Sequence, residues 1–422
     1  MGSARSREGL VDLCPWLLLW ASVIGIFWFI SKQQPFDMAD LFSSFQELST
    51  NSTDRQQTIV PPISGTAIRG NSVVSFHNHL RCMRKDIFKG KHVYELIMEQ
   101  YSESGRWVYN ATPRHIPWDY VAENYTDRCD QEHVGLKGRD AEQPFLTPQN
   151  WTVREELKWV WRTNETCRIE PVDRDEFCKL IGSARGNVMV VGDSINHGFQ
   201  WSITNNLIKD PNAQKLIKEG YPVCKVCPGF RICDDVLGRG GGFNVSFIRN
   251  DRISMTGKAR YEHGGRFIER PWTDYIKKWK VKILILNRGA HYEADEVVLK
   301  ALNSTFSYLR KRHPQLLVFV RNTPPGHLNC MRYKRPLEKR QNFSNNEGPH
   351  NWGKFHSQNR LVKELVEEFG FIHVDADSLL SLRAEGHVQR RDCLHYCIPG
   401  PLDAVVELLY NIMKAIPRFS QP

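Results

Sequence analysis

The second half of the chain alternates strand-like runs with helix-like segments, and this alternation limits the possible folds more than any other feature. Runs rich in β-branched and aromatic residues predict five strands: Asn187–Val191, Phe243–Arg249, Val281–Asn287, Leu316–Val320 and Phe371–Asp375. Apolar residues recur at helical spacing in Ser357–Phe369 and Leu402–Lys414. Strands that alternate with helices predict an α/β fold, with a mostly parallel central sheet covered on both faces in three αβα layers.

In such a sheet, reactive side chains collect at the carboxyl ends of the strands. Gly192-Asp193-Ser194 directly follows the first predicted strand. A serine at a strand-to-helix turn is exposed beside helix N-terminal amides, which suit a developing oxyanion. The same residues also form ordinary turns that cap helices, and this interpretation stays open. Asn287 ends the third strand, where its amide either adds an oxyanion donor or simply forms a turn.

Asp392 and His395 lie three residues apart, so that one turn can present both side chains together. A serine hydroxyl needs a general base, and the base needs an acid partner that fixes its tautomer. These two residues can supply both, with Cys393 and Cys397 tying the loop down as disulfides. The alternative is a surface Asp and His in a disulfide-bonded loop.

One apolar stretch, residues 13–31, is long enough to cross a bilayer. It carries no charge over 19 positions, and a transmembrane helix needs about 20 apolar residues. A cleaved signal peptide is the alternative, but its apolar region is usually about 7–15 residues and ends at small residues. We predict a cytoplasmic tail (1–12), an uncleaved single-pass anchor (13–31) and a solvated stem (32–78).

Glycosylation triplets and cysteines predict the compartment beyond the anchor. Eight N-x-S/T triplets begin at Asn51, Asn110, Asn124, Asn150, Asn164, Asn244, Asn303 and Asn342, all after the anchor, which favours a lumenal chain. Ten of the 11 cysteines also follow it and predict disulfides, without fixing their pairing. We predict a type II membrane protein with a lumenal domain at 79–422, divided into an irregular, disulfide-bonded minor lobe (79–186) and an α/β core (187–422).

Composition narrows the function classes. A hydrophobic fraction of 41% with 11% aromatic residues excludes wholesale disorder. A multi-span membrane protein is excluded because only one stretch is apolar enough to cross a bilayer. The net charge of +10 comes from 57 Lys+Arg against 47 Asp+Glu spread along the chain, and this modest excess argues against nucleic acid as a partner.

The Gly-Asp-Ser turn, the strand that ends in Asn and the Asp-x-x-His segment together resemble the SGNH/GDSL hydrolase superfamily. The local sequence is closer still to the trichome birefringence-like branch of polysaccharide O-acetyltransferases, the PC-esterase type. Its motifs are echoed by Trp159–Trp161 with Cys167, Phe319–His327, Leu382–His387 and Asp392–Gly400. The chain departs from the family at Asn196–Gly198, where polar Arg and Asn are usual, and at Asn287–His291, which is one residue longer.

The resemblance, over roughly residues 79–415, implies an SGNH-like fold with Ser194 as nucleophile, His395 as base, Asp392 as its acid partner and Asn287 as an oxyanion donor. A second oxyanion donor is expected from the loop after Arg249. The implied activity is a Golgi O-acetyltransferase that moves acetyl from a donor to a polysaccharide or glycan through acetyl-serine, with no cofactor. A carbohydrate acetylesterase with the same triad and a non-catalytic glycan-binding protein are the alternatives.

Overall fold

The computed structural model describes residues 93–111, 129, 155–163, 169–209, 225–229, 231–262, 267–343, 349–389 and 392–416. The predicted anchor and stem lie outside these residues, as does much of the predicted minor lobe. Within the described ranges, no helix combines the length and the apolar character that crossing a bilayer requires.

The strands are labelled in chain order. They are β1 Arg106–Tyr109, β2 Trp159–Arg162, β3 Asn187–Gly192, β4 Val226–Cys227, β5 Arg231–Ile232, β6 Phe243–Arg249, β7 Arg260–Glu262, β8 Phe267–Glu269, β9 Val281–Leu286, β10 Leu317–Arg321, β11 Ile372–Val374, β12 His387–Gln389 and β13 Asp392–Tyr396. The helices are α1 Val93–Ser104, α2 Arg174–Ser183, α3 Ser194–Leu207, α4 Asp234–Leu237, α5 Thr273–Lys278, α6 Asp295–Arg312, α7 Phe355–Glu368, α8 Asp377–Leu380 and α9 Leu402–Ala415.

A seven-stranded sheet forms the centre of the molecule, in the order β11-β10-β9-β3-β6-β4, with β5 also paired to β6. Strands β11, β10, β9, β3 and β6 run parallel, and β4 and β5 run antiparallel to β6. The five parallel strands are the five that the sequence predicts, so the mostly parallel sheet is confirmed. In the sheet, β3 lies between β6 and β9: the next parallel strand in the chain, β6, pairs with one edge of β3, and the one after it, β9, pairs with the other edge. The carboxyl end of β3 is therefore a switch point, where open α/β sheets bind ligands.

Alternate residues of each strand belong to two separate cores, because successive side chains point to opposite faces of the sheet. On one face, Val188 and Val190 pack in a cluster with side chains of α2, α3 and α9. On the other face, Met189 and Val191 pack with side chains of α5, α6 and α7. Each fully buried aliphatic side chain contributes about 1.5–3 kcal/mol. The sheet is thus the middle of three layers and is covered on both faces.

The described parts of the segment 79–186, predicted as an irregular lobe, pack on this core. Phe177 of α2 belongs to the same cluster as α3 and α9. Strands β1 and β2 form an antiparallel pair, and the indole N–H of Trp107 in β1 donates to the Leu379 carbonyl at 3.1 Å. The hydroxyl of Tyr101 donates to the carbonyl of Ala404 in α9, also at 3.1 Å. Regular elements and long-range hydrogen bonds therefore occur where the sequence shows little periodicity.

Three disulfides join described cysteines: Cys129–Cys397, Cys178–Cys233 and Cys330–Cys393. The prediction of disulfides is confirmed for these six residues. Cys227 is also disulfide-bonded. Two of the three bridges end within or beside β13, the strand that carries Asp392 and His395.

Candidate active site

Ser194 is the first residue of α3 and is separated from the end of β3 by Asp193 alone. The carboxylate of Asp193 accepts the backbone N–H of Ile195 at 2.8 Å and that of Asn196 at 3.2 Å. It also accepts the N–H of Ala290 at 3.3 Å, which links the turn to the segment after β9. The first four N–H groups of a helix have no partner inside it. Because the Asp193 carboxylate accepts the third and fourth of these, from Ile195 and Asn196, the N–H of Ser194 is left beside its own side chain.

Glycine is required at position 192 because two strand ends approach each other there. A Cβ on Gly192 would lie 2.7 Å from the carbonyl oxygen of Asn287 and 2.2 Å from the side-chain nitrogen of Asn196. Both distances are far below a normal van der Waals contact. The close passage of β9 beside the end of β3 therefore depends on the missing side chain.

His395 lies 201 positions from Ser194 in sequence, yet its Nε2 lies 2.7 Å from Ser194 Oγ. Its Nδ1 lies 2.9 Å from one carboxylate oxygen of Asp392 and 3.0 Å from the other. His395 and Asp392 expose 21% and 22% of their side chains, and Ser194 is partly exposed. The structure thus places the three residues in one continuous hydrogen-bonded chain that solvent and small molecules can reach.

The segment of Asp392 and His395 is an irregular strand and not the single turn that the sequence predicts. In the antiparallel pair β12–β13, His387 is opposite Tyr396 and Gln389 is opposite Asp392, so that β13 holds two extra residues between these pairs. Such bulges re-aim side chains next to active sites. The Asp392 carboxylate folds back to accept the backbone N–H of Leu394 at 3.2 Å and of His395 at 3.1 Å. This fold lets residues three apart in a strand meet.

The same contacts set the charge of Asp392. Burial favours its neutral form, but the hydrogen bond from the His395 side chain, the charge of His395 and the two backbone N–H groups outweigh burial and lower the pKa of Asp392 to about 2. Asp392 is therefore a carboxylate at neutral pH and accepts the Nδ1–H of His395. Nε2 of His395 then carries a lone pair toward Ser194, which is the tautomer that removes a proton from a hydroxyl.

The strand β13 is tied to the core at several points. Cys393 forms a disulfide with Cys330, and Cys397 forms one with Cys129. The backbone N–H of His327 donates to the Cys393 carbonyl at 2.9 Å. Because the bridges end on both sides of His395, its segment is held by covalent bonds as well as by pairing with β12.

Asn287 lies at the end of β9, as predicted, but its side-chain amide is hydrogen-bonded to other residues of the protein. Its side-chain nitrogen donates to the Arg321 carbonyl at 2.8 Å and to the hydroxyl of Thr323 at 2.9 Å. Its side-chain oxygen accepts from the guanidinium of Arg321 at 2.9 Å. With both N–H bonds directed at protein acceptors, Asn287 here fixes strand ends and does not offer the oxyanion donor that the sequence predicts.

The loop after Arg249 was expected to supply a second oxyanion donor. The N–H of Asn250 donates to the Gly192 carbonyl at 2.9 Å, and the N–H of Asp251 donates to the Ile268 carbonyl at 2.9 Å. The side-chain nitrogen of Asn250 donates to the carbonyls of Ser254 and Arg270. These groups hold the loop against the end of β3, so the described donors of Asn250 and Asp251 are already used.

Sequence reasoning missed the buried guanidinium of Arg321, at the end of β10. Arg321 is 1% exposed, and burial lowers its pKa to about 10, which leaves it charged at neutral pH. It donates to the side-chain oxygens of Asn196 in α3, at 2.6 and 3.1 Å, and of Asn287. Asn196 in turn donates to the Val191 carbonyl at 2.8 Å. Arg321 therefore joins the ends of β3, β9 and β10 behind Ser194.

This arrangement has the parts required for acyl transfer. A hydroxyl, an imidazole in the correct tautomer and a carboxylate are aligned, and a helix N-terminal amide lies at the hydroxyl. Removal of a proton from Ser194 places a positive charge on His395, directly beside the Asp392 carboxylate. Such a site can form a tetrahedral intermediate at a carbonyl carbon and resolve it to an acyl-serine.

Residues 272–412 match a protein-family model, PC-Esterase, described as a GDSL/SGNH-like acyl-esterase family found in Pmr5 and Cas1p. The matched segment contains Asp392 and His395 and begins after Ser194. The match supports the PC-esterase resemblance, which is coarser than the trichome birefringence-like branch. No curated protein shows a significant match to the sequence.

Three solved structures are similar to the chain at low identity. They are a putative GDSL-like lipase from Parabacteroides merdae ATCC 43184 (12% identity, 55% of this chain and 96% of that chain, TM-score 0.30), a carbohydrate esterase family 2 enzyme plus carbohydrate binding domain from Corynascus thermopiles, also named Myceliophthora fergusii (13%, 55% and 66%, 0.28), and phospholipase A1 from Streptomyces albidoflavus NA297 (11%, 54% and 98%, 0.26). Identities and TM-scores at this level transfer neither activity nor substrate.

Proposed function

We propose that this chain is a serine-dependent O-acetyltransferase that acts on a polysaccharide or glycan. The observation that carries the proposal is the continuous chain of hydrogen bonds from Ser194 through His395 to Asp392 at the switch point of the sheet. The match of residues 272–412 to an acyl-esterase family supports acyl chemistry. The sequence motifs that resemble polysaccharide O-acetyltransferases support a sugar hydroxyl as the acceptor.

In the first half-reaction, Ser194 Oγ attacks the carbonyl carbon of the acetyl donor while its proton passes to His395 Nε2. Asp392 holds the resulting imidazolium, and the Ser194 N–H donates to the oxyanion of the tetrahedral intermediate. His395 then returns the proton to the leaving group as the bond to that group breaks. The product is an acetyl ester on Ser194.

In the second half-reaction, a sugar hydroxyl gives its proton to His395 and attacks the acetyl-serine carbonyl. The bond from the acetyl carbon to Ser194 Oγ breaks, and His395 returns the proton to that oxygen. If water takes the place of the sugar, the same steps release acetate. Transfer and hydrolysis therefore differ only in which hydroxyl reaches the acetyl-serine.

We place this reaction in the Golgi lumen, behind a single-pass anchor at residues 13–31. The three disulfides support an oxidising compartment. Among the predicted glycosylation sites, Asn303 and Asn342 are exposed, as an attached oligosaccharide requires. Both features are expected of a domain that folds in the secretory pathway.

A carbohydrate acetylesterase is the second candidate, and the description of the matched family as acyl-esterases favours it. The two candidates make different products from the same intermediate. The deciding experiment incubates the full chain with 4-nitrophenyl acetate as donor and a panel of neutral and acidic oligosaccharides. Mass spectrometry of the products then detects either acetylated oligosaccharide or free acetate alone.

Two variants control this experiment. Ser194→Ala removes the proposed nucleophile, whereas Ser304→Ala removes an exposed serine hydroxyl of α6 that bonds only the Lys300 carbonyl. Acetylated oligosaccharide from wild type and Ser304→Ala, and none from Ser194→Ala, is the expected result. Acetate without acetylated sugar supports the esterase. Equal activity in Ser194→Ala overturns both.

A further inference from the structure

Two histidines that the proposed reaction does not use are buried directly behind β13. His327 is 1% exposed and His387 is 0% exposed. His387 begins β12, and His327 lies in the segment after β10. Their rings approach through Nδ1 of His327 and Nε2 of His387, which are 2.7 Å apart. That distance is a hydrogen bond and requires a hydrogen atom between the two nitrogens.

The outer nitrogen of each ring contacts a backbone carbonyl. Nε2 of His327 lies 2.8 Å from the carbonyl oxygen of Ser381, and Nδ1 of His387 lies 3.0 Å from the carbonyl oxygen of His395. A carbonyl oxygen only accepts, so both outer nitrogens must carry hydrogen. The ring of His387 therefore donates to the main chain of the proposed general base itself.

Counting protons gives the charge of the pair. A neutral imidazole carries one N–H, so two neutral rings supply two hydrogens, and both are taken by the carbonyls. The inner nitrogens would then present lone pairs to each other at 2.7 Å. If either ring took its other tautomer, its outer nitrogen would carry no hydrogen and would present a lone pair to the carbonyl oxygen instead. All three contacts are satisfied together only when the pair binds one additional proton, which bridges His327 and His387.

Burial opposes the extra charge, and several neighbours modify it. Burial lowers the pKa of His327 to about 4 and that of His387 well below its ordinary value. Asp377 at the start of α8 favours charge on His327, and Asp392 of β13 favours charge on His387, whereas His395 disfavours it. Three further groups lie nearby. They are Tyr396, stacked on His387 with ring centroids 4.3 Å apart, and the mutually paired Arg383 and Glu385 before β12.

We propose that His327 and His387 bind one bridging proton between them and that this protonated pair positions His395 through the His387 Nδ1–H bond to its carbonyl. They are positioning residues, because neither ring contacts Ser194. When the bridging proton is lost as the pH rises, the inner nitrogens repel each other and His387 withdraws its support from β13. The consequence for turnover rests on the proposed function, whereas the bridging proton does not.

The first test observes the proton directly. Nuclear magnetic resonance of the full chain labelled with ¹⁵N-histidine follows the ring nitrogens from about pH 8 to about pH 3, a range that contains both the ordinary pKa of histidine and the lowered pKa of His327. We expect His327 and His387 to gain one proton in a single shared step, together with one N–H resonance that disappears in His327→Gln and in His387→Gln. Separate titration of the two rings, or no proton uptake by the pair, overturns the proposal.

The second test separates positioning from packing. The rate at which a fluorophosphonate reagent labels Ser194 is measured against pH, with His373→Gln as the matched control because His373 is also buried, in β11. A small displacement of a reacting group costs about 100-fold. We therefore expect His387→Gln to lower the labelling rate by about 10–100-fold at pH values where the pair is protonated, and to remove the fall in rate that accompanies loss of the bridging proton as the pH rises. His373→Gln should keep the wild-type pH profile.

The outcomes are distinguishable. If wild-type Ser194 is not labelled at all, the proposed function fails, and the resonance experiment still decides whether the bridging proton exists. If the shared proton is observed but His387→Gln labels with the wild-type rate and pH profile, the positioning role is overturned.

Discussion

Nε2 of His395 lies 2.7 Å from Oγ of Ser194, with 201 positions of sequence between them. The two residues belong to different elements: Ser194 follows the central strand β3, and His395 lies on the bulged strand β13. Helix α9, which follows β13, packs against α3, which begins at Ser194. This packing holds the two halves of the site together.

Removing either end of this contact should abolish turnover. Ser194→Ala and His395→Ala should each lower the rate by about 10⁴-fold or more, because the nucleophile and base act as a unit. The double variant should be little worse than either single variant. Acetyl transfer or acetate release, measured under single-turnover conditions, checks this. Additive losses in the double variant would contradict a shared step.

Asp392→Asn should leave the fold intact and still lower turnover by about 10⁴-fold. An amide can donate to Nδ1 of His395, and His395 then presents the wrong tautomer to Ser194. The rate is compared with the urea midpoint of the same variant, so that loss of activity is separated from loss of folded protein. A variant with normal turnover would show that Asp392 does not set the tautomer.

Asp392 should also make stability depend on pH. Its folded-state pKa of about 2 lies below the ordinary value of 3.8, so its contribution is present above about pH 4 and is lost as the pH falls toward 2. That contribution is about 1–2 kcal/mol, allowing for partial solvent exposure. Urea unfolding should show Asp392→Asn less stable than wild type near pH 5, with the difference shrinking in acid. An equal difference at both pH values would exclude this linkage.

The two disulfides Cys330–Cys393 and Cys178–Cys233 form a matched pair for testing the rigidity of β13. They close loops of similar length, with sequence separations of 63 and 55, so removing either should cost up to about 4 kcal/mol. Of these two disulfides, only Cys330–Cys393 lies next to Asp392 in the sequence. Replacing both its cysteines by serine should therefore lower turnover as well as stability, whereas loss of Cys178–Cys233 should lower stability alone. Equal effects on turnover per folded molecule would argue against a local role.

Arg321→Met should destabilise the fold by about 3 kcal/mol. It leaves the buried side-chain oxygens of Asn196 and Asn287 without their charged donor, and each unsatisfied group costs about 1–3 kcal/mol. Arg310→Met is the control. Arg310 likewise donates two hydrogen bonds, to the carbonyls of Phe369 and Gly370, but its side chain is exposed, so that water can replace the guanidinium. We expect a loss below about 1 kcal/mol there. Similar losses in both variants would show that burial of Arg321 does not matter.

Local patterns account for what could be predicted. The strands β3, β6, β9, β10 and β11 are short buried runs bounded by turn residues, and helices α7 and α9 have strong apolar faces, so each could be located without tertiary information. The sequence analysis does not predict helix α2. The buried face of this helix is defined by its packing against α3 and α9, which is set by tertiary structure. The resemblance located Ser194, Asp392 and His395, and chain spacing alone left each with an ordinary alternative.

The hydrogen-bond partners of buried polar groups could not be predicted from the sequence. Asn287 was expected to face the oxyanion, but whether its amide is free depends on where Arg321 and Thr323 lie when three strand ends meet. The segment from Asp392 to His395 was expected to be a turn, and its bulge exists only in register with β12. The approach of His327 to His387 likewise needs β10 and β12 in place. These contacts are set by tertiary structure, which sequence spacing does not encode.

The order in which the site emerges during synthesis follows from the positions of its two halves. At about 5–20 residues per second, a ribosome needs roughly 10–40 s to extend the chain from the serine to the histidine. Throughout that interval the nascent polypeptide carries a hydroxyl with no base to activate it. The hydrogen bond between Ser194 and His395 can therefore form only after β13 has been synthesised and has paired with β12.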